Sequence, residues 1–406
     1  MRFADIAIAT PVHTAFTYSV PDGLDLSQGM RVIVPFRRRS VFGICTAVHR
    51  NPSKKITADR IKAIEEVPDK APVISPSMMK LILWMSSYYC APIGEAFRAA
   101  LPSRLIQNGG PRTTRPHEPF ELESIRLPSL ELTDEQRAAL DTISEATATG
   151  APSVFLLEGI TGSGKTEVYI RLFEKLVSEG KQGLLMVPEI GLTPVLTGLV
   201  AARFGGRVAL YHSGLTDAQR HAQWLRMAAG EVDVVVGTRS ALFAPLDKLG
   251  AIVVDEEHDG SYKQDDGFAY HGRDAAVMRA HIEGIPAVLG SATPSLESLE
   301  NARRGKYRLL RLSRRPTGSP LPSVEIVDMR RGGGAGKQSD GSSPKKESEG
   351  ESRRREFCAL SPPLYDAMVR LSRAKSRCCS SPVAAASQVR CSATGAERPS
   401  HAPTAT

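Results

Sequence analysis

Along residues 1–107 apolar and polar positions alternate in short runs, among them Ile6 to Ala9, Phe16 to Val20, Arg31 to Phe36 and Phe42 to Val48, broken by Pro11, Pro21-Asp22-Gly23 and Pro35. Period-two alternation between turn residues predicts a small β-rich module. One helix-like segment, Ser77 to Tyr89, closes it with Met79, Leu81, Leu83, Trp84 and Tyr88. Over residues 108–130 the composition shifts to Gly109-Gly110-Pro111, Thr113-Thr114 and scattered prolines, which reads as a linker. From residue 131 to about 330 the pattern changes. Continuous apolar runs (Val154 to Leu157, Leu184 to Val187, Val208 to Tyr211, Val232 to Val236, Ile252 to Val254, Ala287 to Leu289) are interleaved with amphipathic stretches at Thr166 to Glu179, Thr193 to Arg203 and Asp217 to Ala229. Strands that are apolar throughout, separated by helical patterns, predict an α/β lobe whose parallel sheet is covered on both faces. After Met329 the chain turns to Arg, Gly, Ser, Lys and Glu, too polar to offset the entropy of ordering, so residues 331–406 are expected to be a low-complexity, disordered tail with one short helical piece at Leu360 to Val369.

Composition narrows the classes. With 406 residues and 41% apolar content the chain can bury real cores, which excludes a wholly disordered protein. The net charge of +8 is weak evidence for nucleic acid, because the stretch from Leu371 onward, with five basic residues against one acid, supplies half of the surplus. No run approaches a membrane span and the Met1 to Asp5 start lacks a signal peptide's apolar stretch, so the expected address is the cytoplasm, without a membrane partner. Six cysteines (Cys45, Cys90, Cys358, Cys378, Cys379, Cys391) form no paired C-x-x-C knuckles, and reduced thiols without zinc are expected.

Gly159-Ile160-Thr161-Gly162-Ser163-Gly164-Lys165-Thr166 fits G-x-x-x-x-G-K-[ST] between a predicted strand and a predicted helix. Gly159, Gly162 and Gly164 would turn backbone N–H groups of the loop, Thr161 and Ser163 included, onto the phosphates of ATP; Lys165 would neutralise β/γ charge and Thr166 would hold Mg²⁺ at the helix start. Such a loop needs an acid at a neighbouring strand end, and Ala251 to Val254 runs directly into Asp255-Glu256-Glu257-His258. Asp255 is placed for the Mg²⁺ shell and Glu256 for polarising the attacking water. His258 is either a structural histidine within the loop or one coupling nucleotide state to a partner surface. Gly290-Ser291-Ala292-Thr293-Pro294 sets two hydroxyls, Ser291 and Thr293, at a further strand end. Leu132 to Gln136 precedes the first strand of the lobe; Thr133 followed by Gln136 also spells a helix capping box.

These strings carry a resemblance. Ser-Ala-Thr at Ser291 to Thr293 is similar to the sensor motif of superfamily-2 helicases, and Leu132 to Gln136 resembles their Q motif, in which the Gln136 amide would read the adenine edge. Gly159 to Tyr169, Met186 to Pro194, His212 to Leu215, Gly237 to Phe243, Asp255 to Asp259, Ser261 to Gln264 and Gly290 to Pro294 follow in the order found in the PriA family of replication-restart helicases. The resemblance implies a RecA-like first lobe at 131–330 after a β-rich DNA 3′-end-binding domain at 1–107. It further implies an ATP-dependent DNA helicase of the primosome that recognises stalled forks and reloads the replisome. Partners would be forked and single-stranded DNA with 3′ ends, together with primosome and single-strand-binding proteins.

Contacts to DNA follow the same resemblance. Thr193, Thr238 and Arg239, at strand ends, would grip a phosphate backbone without reading bases, Arg239 being alternatively a structural ion-pair partner. Tyr262, Lys263, Phe268 and Tyr270 lie in the family's aromatic-rich loop, where rings would stack on bases or simply pack on the lobe. Phe16, Thr17, Tyr18 and Lys62 align with the family's terminal-nucleotide pocket, though Thr17 replaces the usual acid and Arg37 the usual glycine. Arg37-Arg38-Arg39 reads as added phosphate attraction or as a solvated hairpin tip. The similarity stops near Arg370. A second lobe, the family's zinc knuckles and an arginine finger are not found after it, so the expectation is a chain truncated after the first lobe, binding ATP better than it hydrolyses it and with unwinding lost. The change at Leu371 reads as translation in another frame. The alternative reading is a fork-DNA-binding or primosome-docking module with a vestigial ATP site.

Overall fold

The computed structural model describes residues 2–51, 61–106 and 131–316. The linker at 108–130, residues 317–330, and the tail at 331–406 with its helical piece and four of the cysteines lie outside the described residues.

The N-terminal strands β1 (Arg2–Ile8), β2 (Phe16–Val20), β3 (Arg31–Phe36) and β4 (Arg39–His49) form an antiparallel sheet in the order β2-β1-β4-β3. Alternation sorts the side chains: Ile6, Ile8, Tyr18, Val32, Val34 and Cys45 share one small core. Ala7 and Ile44 face the other way and join the helices α1 (Pro76–Tyr88), α2 (Ile93–Ala100) and α3 (Ser103–Ile106). Helix α1 starts at Ser75, whose hydroxyl accepts from Met78 N at 3.3 Å, with Pro76 in the first turn where its missing N–H costs nothing.

After α4 (Asp134–Thr149), opened by the Thr133–Gln136 capping box, comes a seven-stranded parallel sheet in the order β13-β5-β12-β9-β6-β8-β7. Its strands are β5 (Val154–Gly159), β6 (Gln182–Met186), β7 (Val208–Tyr211), β8 (Val234–Gly237), β9 (Leu249–Val254), β12 (Ala287–Ser291) and β13 (Arg308–Leu312). Every residue of β9 is buried, as a central strand covered on both faces requires. Phe155, Leu157, Leu185 and Val253 pack under α4, α5 (Lys165–Ser178) and α6 (Pro194–Phe204). Leu156, Leu184, Ile252 and Leu289 face α7 (Asp217–Ala228) and α8 (Gly272–Glu283), where Trp224, Ala275 and Phe243 meet Met78, Ile82 and Phe97 of the N-terminal helices in one continuous core. The strand order matters for chemistry. Because β5, β12 and β9 are neighbours, the segments that follow them emerge side by side at the carboxyl edge of the sheet.

A short hairpin, β10 (Lys263–Gln264) with β11 (Tyr270–His271), stands between the acid box and α8, and α9 (Leu296–Arg303) follows β12. Among the described residues no helix is long and apolar enough to cross a membrane. Of the cysteines there, Cys45 is a buried free thiol and Cys90 an exposed one.

Candidate functional site

The glycine loop leaves β5 at Gly159 and returns into α5, whose first residue is Lys165. Gly162 and Gly164 both stand at φ 82°, backbone that a side chain rarely adopts. At Gly164 space forbids one as well, since a Cβ would lie 2.3 Å from the Gln136 amide nitrogen. That amide is held at both ends: Nε2 donates to Ser163 O at 2.9 Å and Oε1 accepts from Thr133 N at 2.9 Å. Gln136, 2% exposed, thus braces the loop from behind. Lys165 is buried, its Nζ donating to Gly159 O at 3.1 Å and standing 3.6 Å from Glu256 Oε1. Thr166 occupies the first turn of α5, half-buried, and Ser163 is buried with a hydroxyl that finds no partner. Thr161 is exposed, and its carbonyl accepts from Arg315 Nε at 3.0 Å.

Across from the loop, Asp255 is fixed at the end of β9. Its N–H donates to Met186 O, its carbonyl accepts from the Tyr262 hydroxyl at 2.7 Å and its Oδ1 from the Tyr169 hydroxyl at 3.0 Å. Burial, reinforced by the Glu256 charge, pushes the Asp255 carboxyl above the ordinary carboxylate range against the pull of Lys165. Glu256 sits at φ 44°, left-handed strain for a non-glycine residue, which turns its carboxylate toward Lys165. From Glu256 a chain of polar contacts runs outward: His258 Nδ1 is 3.7 Å from Glu256 Oε2 and 2.8 Å from Ser291 Oγ, and His258 Nε2 is 3.4 Å from Thr293 Oγ1. Ser291 Oγ in turn accepts from Thr293 N at 2.9 Å. The loop, the acid box and the Ser-Ala-Thr segment thus meet in space although Lys165 and Ser291 are far apart in sequence.

The expected DNA contacts are placed unevenly. Thr193 is exposed and caps α6 by accepting from Leu196 N at 3.3 Å; Lys263 is exposed and pairs with Asp265 at 3.1 Å. Thr238 is buried, its N–H donating to Tyr211 O at 3.1 Å. Arg239 donates to the carbonyls of Ser261 and Lys263 at 3.1 and 2.8 Å, so it stitches the acid-box loop to the lobe, pairing with carbonyls and not with a carboxylate. The rings of Tyr262, Phe268 and Tyr270 are all buried. Phe268 stacks on Tyr270 at 5.3 Å and meets Tyr89 edge-on at 6.4 Å, so these two rings pack on the lobe.

In the N-terminal module Phe16 is half-buried edge-on to Phe36 at 5.2 Å, Lys62 is exposed, and Tyr18 is buried with its hydroxyl donating to Pro35 O at 3.3 Å. The Thr17 hydroxyl donates to Asp5 Oδ1 at 2.7 Å, because antiparallel pairing sets Asp5 opposite Thr17.

Other residues escaped the sequence reading. Glu257, fully buried, accepts from Arg273 Nη1, Ser295 N and Oγ, and Ser298 Oγ at 2.7 to 3.0 Å, tying the acid box to α8 and α9. Glu135 accepts from Ser313 N at 2.7 Å, the Ser313 hydroxyl and Arg314 N, and the Ser313 hydroxyl bond leads in holding its carboxyl below the usual range. Both lie in segments that the sequence singles out, but their contacts depend on which elements adjoin and no local signal marks those.

The family model for a 3′DNA-binding domain (3′BD) matches residues 5–102, and that for a DEAD/DEAH box helicase matches residues 133–302. The Replication restart protein PriA of Haemophilus influenzae is 34% identical, over 81% of this chain and 54% of its own length. The protein of the same name from Rickettsia conorii is 37% identical, over 81% and 48%, and that from Bacillus subtilis 30% identical, over 81% and 58%. The chain therefore spans about half the length of the curated relatives it matches. By both matched regions and by these relatives, the chain belongs to the PriA family of replication restart proteins.

Proposed function

We propose that this chain comprises the DNA-end-binding domain, residues 1–107, and the first ATP-binding lobe, residues 131–330, of an ATP-dependent DNA helicase of replication restart. The observation that carries the reading is the approach of Lys165 Nζ to the Glu256 carboxylate, 3.6 Å apart, beside half-buried Asp255 at the carboxyl edge of the sheet. The residues fit a nucleotide triphosphate. The loop has left-handed glycines at 162 and 164, a buried Ser163 hydroxyl without a partner, and a lysine aimed across its mouth. When bound, Mg²⁺ supplies charge neutralisation at the β/γ phosphates. Ser163 and Lys165 would hold phosphate oxygens, Thr166 and Asp255 the metal and its shell, and Glu256 would accept the proton of a water at its carboxylate. The path from Glu256 through His258 to Ser291 and Thr293 supports a coupling role for those three residues.

DNA would be held by Phe16, Thr17 and Lys62 at its 3′ end and by Thr193 and Lys263 along the lobe, with a forked substrate, primosome proteins and single-strand-binding protein as partners. The test is binding of a fluorophore-labelled fork and of a fluorescent ATP analogue with Mg²⁺ to the same chain. Both bind, and Phe16→Ala with Lys62→Ala weakens the fork about tenfold, as removal of one stacked ring does, while nucleotide affinity is unchanged. A chain that binds neither ligand overturns the reading.

A further inference from the structure

Beyond β13, whose last residue Leu312 pairs with Gly159, residues 313–316 run along the outside of the glycine loop. Ile160 N donates to Leu312 O at 3.4 Å and Arg315 Nε donates to Thr161 O at 3.0 Å. A Cβ at Gly162 would stand 3.5 Å from Arg315 Nε, and one at Gly164 would stand 3.6 Å from Pro316 Cγ. This short strap is anchored at its start. Glu135, in the first turn of α4, accepts from Ser313 N, the Ser313 hydroxyl and Arg314 N, and these bonds, the hydroxyl's foremost, hold its carboxyl below the usual range and so charged at neutral pH. The next residue of the same turn, Gln136, holds Ser163 O. Helix α4 therefore grips the glycine loop twice, once directly and once through the strap.

Both grips fall on carbonyls of the loop. A trans peptide sets its C=O and the following N–H on opposite sides, so drawing Thr161 O and Ser163 O to groups outside the loop aims the N–H groups of Gly162 and Gly164 the other way. Left to themselves, glycines sample many backbone conformations, and a loop holding several loses much freedom when it closes on a ligand. Contacts that fix the loop beforehand lessen that cost. We propose that residues 313–316 form a strap that presets the glycine loop for phosphate, with Arg315 and Glu135 as positioning residues that act through the loop. By reciprocity, bound nucleotide must steady the strap by the same factor as the strap favours nucleotide. This rests on the reading that the loop holds a triphosphate.

The test joins calorimetric titration with a non-hydrolysable ATP analogue and Mg²⁺ to hydrogen exchange at the strap. Arg315→Ala and Glu135→Ala each weaken binding about fivefold, as loss of the one bond from strap to loop does. The double variant is no weaker than the poorer single one, because both act through one strap. In the wild type the analogue slows exchange of the Ser313 and Arg314 amides about fivefold; in Arg315→Ala it does not, a readout that general loosening of the lobe would not produce. Neither side chain is buried, so melting curves match the wild type, and Arg315→Ala carries the test alone if Glu135→Ala melts early. Arg303→Ala on α9 is the control. Wild-type affinity in both single variants overturns the proposal, as do losses that multiply in the double variant or wild-type strap amides indifferent to the analogue. A wild-type chain that fails to bind the analogue at all instead overturns the nucleotide reading beneath it.

Discussion

At the scale of single residues the parts of the proposed nucleotide site were legible in the sequence, and the reason is local. A glycine loop, its lysine and an acid box at a strand end are each specified by a handful of adjacent residues, and Lys165, Asp255 and Glu256 lie together in the structure. What the sequence concealed are side chains whose meaning depends on a distant neighbour. Tyr169 lies in the glycine-loop helix as an ordinary aromatic, yet it is 1% exposed and donates to Asp255. Removing that hydroxyl leaves a half-buried carboxylate short of a donor that orients it, at a cost of about 1 kcal/mol. Tyr169→Phe should therefore weaken the Mg²⁺-dependent part of ATP-analogue affinity roughly fivefold while leaving affinity in EDTA unchanged. Equal affinities for both proteins in Mg²⁺ would show that the hydroxyl has no positioning role. The aromatic residues at 262, 268 and 270, interleaved with glycines and charges, suit either base stacking or packing on the lobe, and in the structure their rings are buried.

At the scale of elements, periodicity located the buried strands because each is apolar along its length, β9 most completely. Strand order was beyond it. β13, with Arg308 and Arg311 exposed at the sheet edge, carries no continuous apolar run, and only pairing with β5 makes it a strand. The β3–β4 turn shows a local rule broken. Phe36 pairs with Arg39, leaving two residues to reverse the chain, and the first, Arg37, stands at φ 54° where glycine is favoured. Because left-handed backbone costs an ordinary residue about 1–2 kcal/mol, partly offset by glycine's greater unfolded entropy, Arg37→Gly should raise stability by about 0.5–1 kcal/mol in urea melts. A destabilised variant would mean that the arginine makes compensating contacts, such as its approach to the Phe36 ring at 5.7 Å.

At the scale of the molecule, the N-terminal helices and the lobe share one hydrophobic core, in which Met78, Ile82 and Phe97 touch the same cluster as Trp224, Phe243 and Ala275. Described residues on both sides belong to a single unit spanning Met1–Ser319. Sequence reading divided the chain by composition and could not see this, since a shared core needs two surfaces to be known at once. The chain's two tryptophans report on the two sides: Trp84 on α1 and Trp224 on α7. Single-tryptophan variants, Trp224→Phe and Trp84→Phe, should lose fluorescence at coincident denaturant midpoints, as one cooperative unit does. Midpoints separated beyond error would instead mean that module and lobe unfold independently.

The account depends most on the nucleotide site, and calorimetric titration of the chain with a non-hydrolysable ATP analogue, in Mg²⁺ and in EDTA, probes it most directly. Lys165 and Asp255 should act on one Mg²⁺–triphosphate complex: Lys165→Ala should lose about a hundredfold in affinity, and Asp255→Asn should lose the increment that Mg²⁺ adds. Binding by Lys165→Ala as tight as wild type, or wild-type affinity indifferent to Mg²⁺, would contradict it.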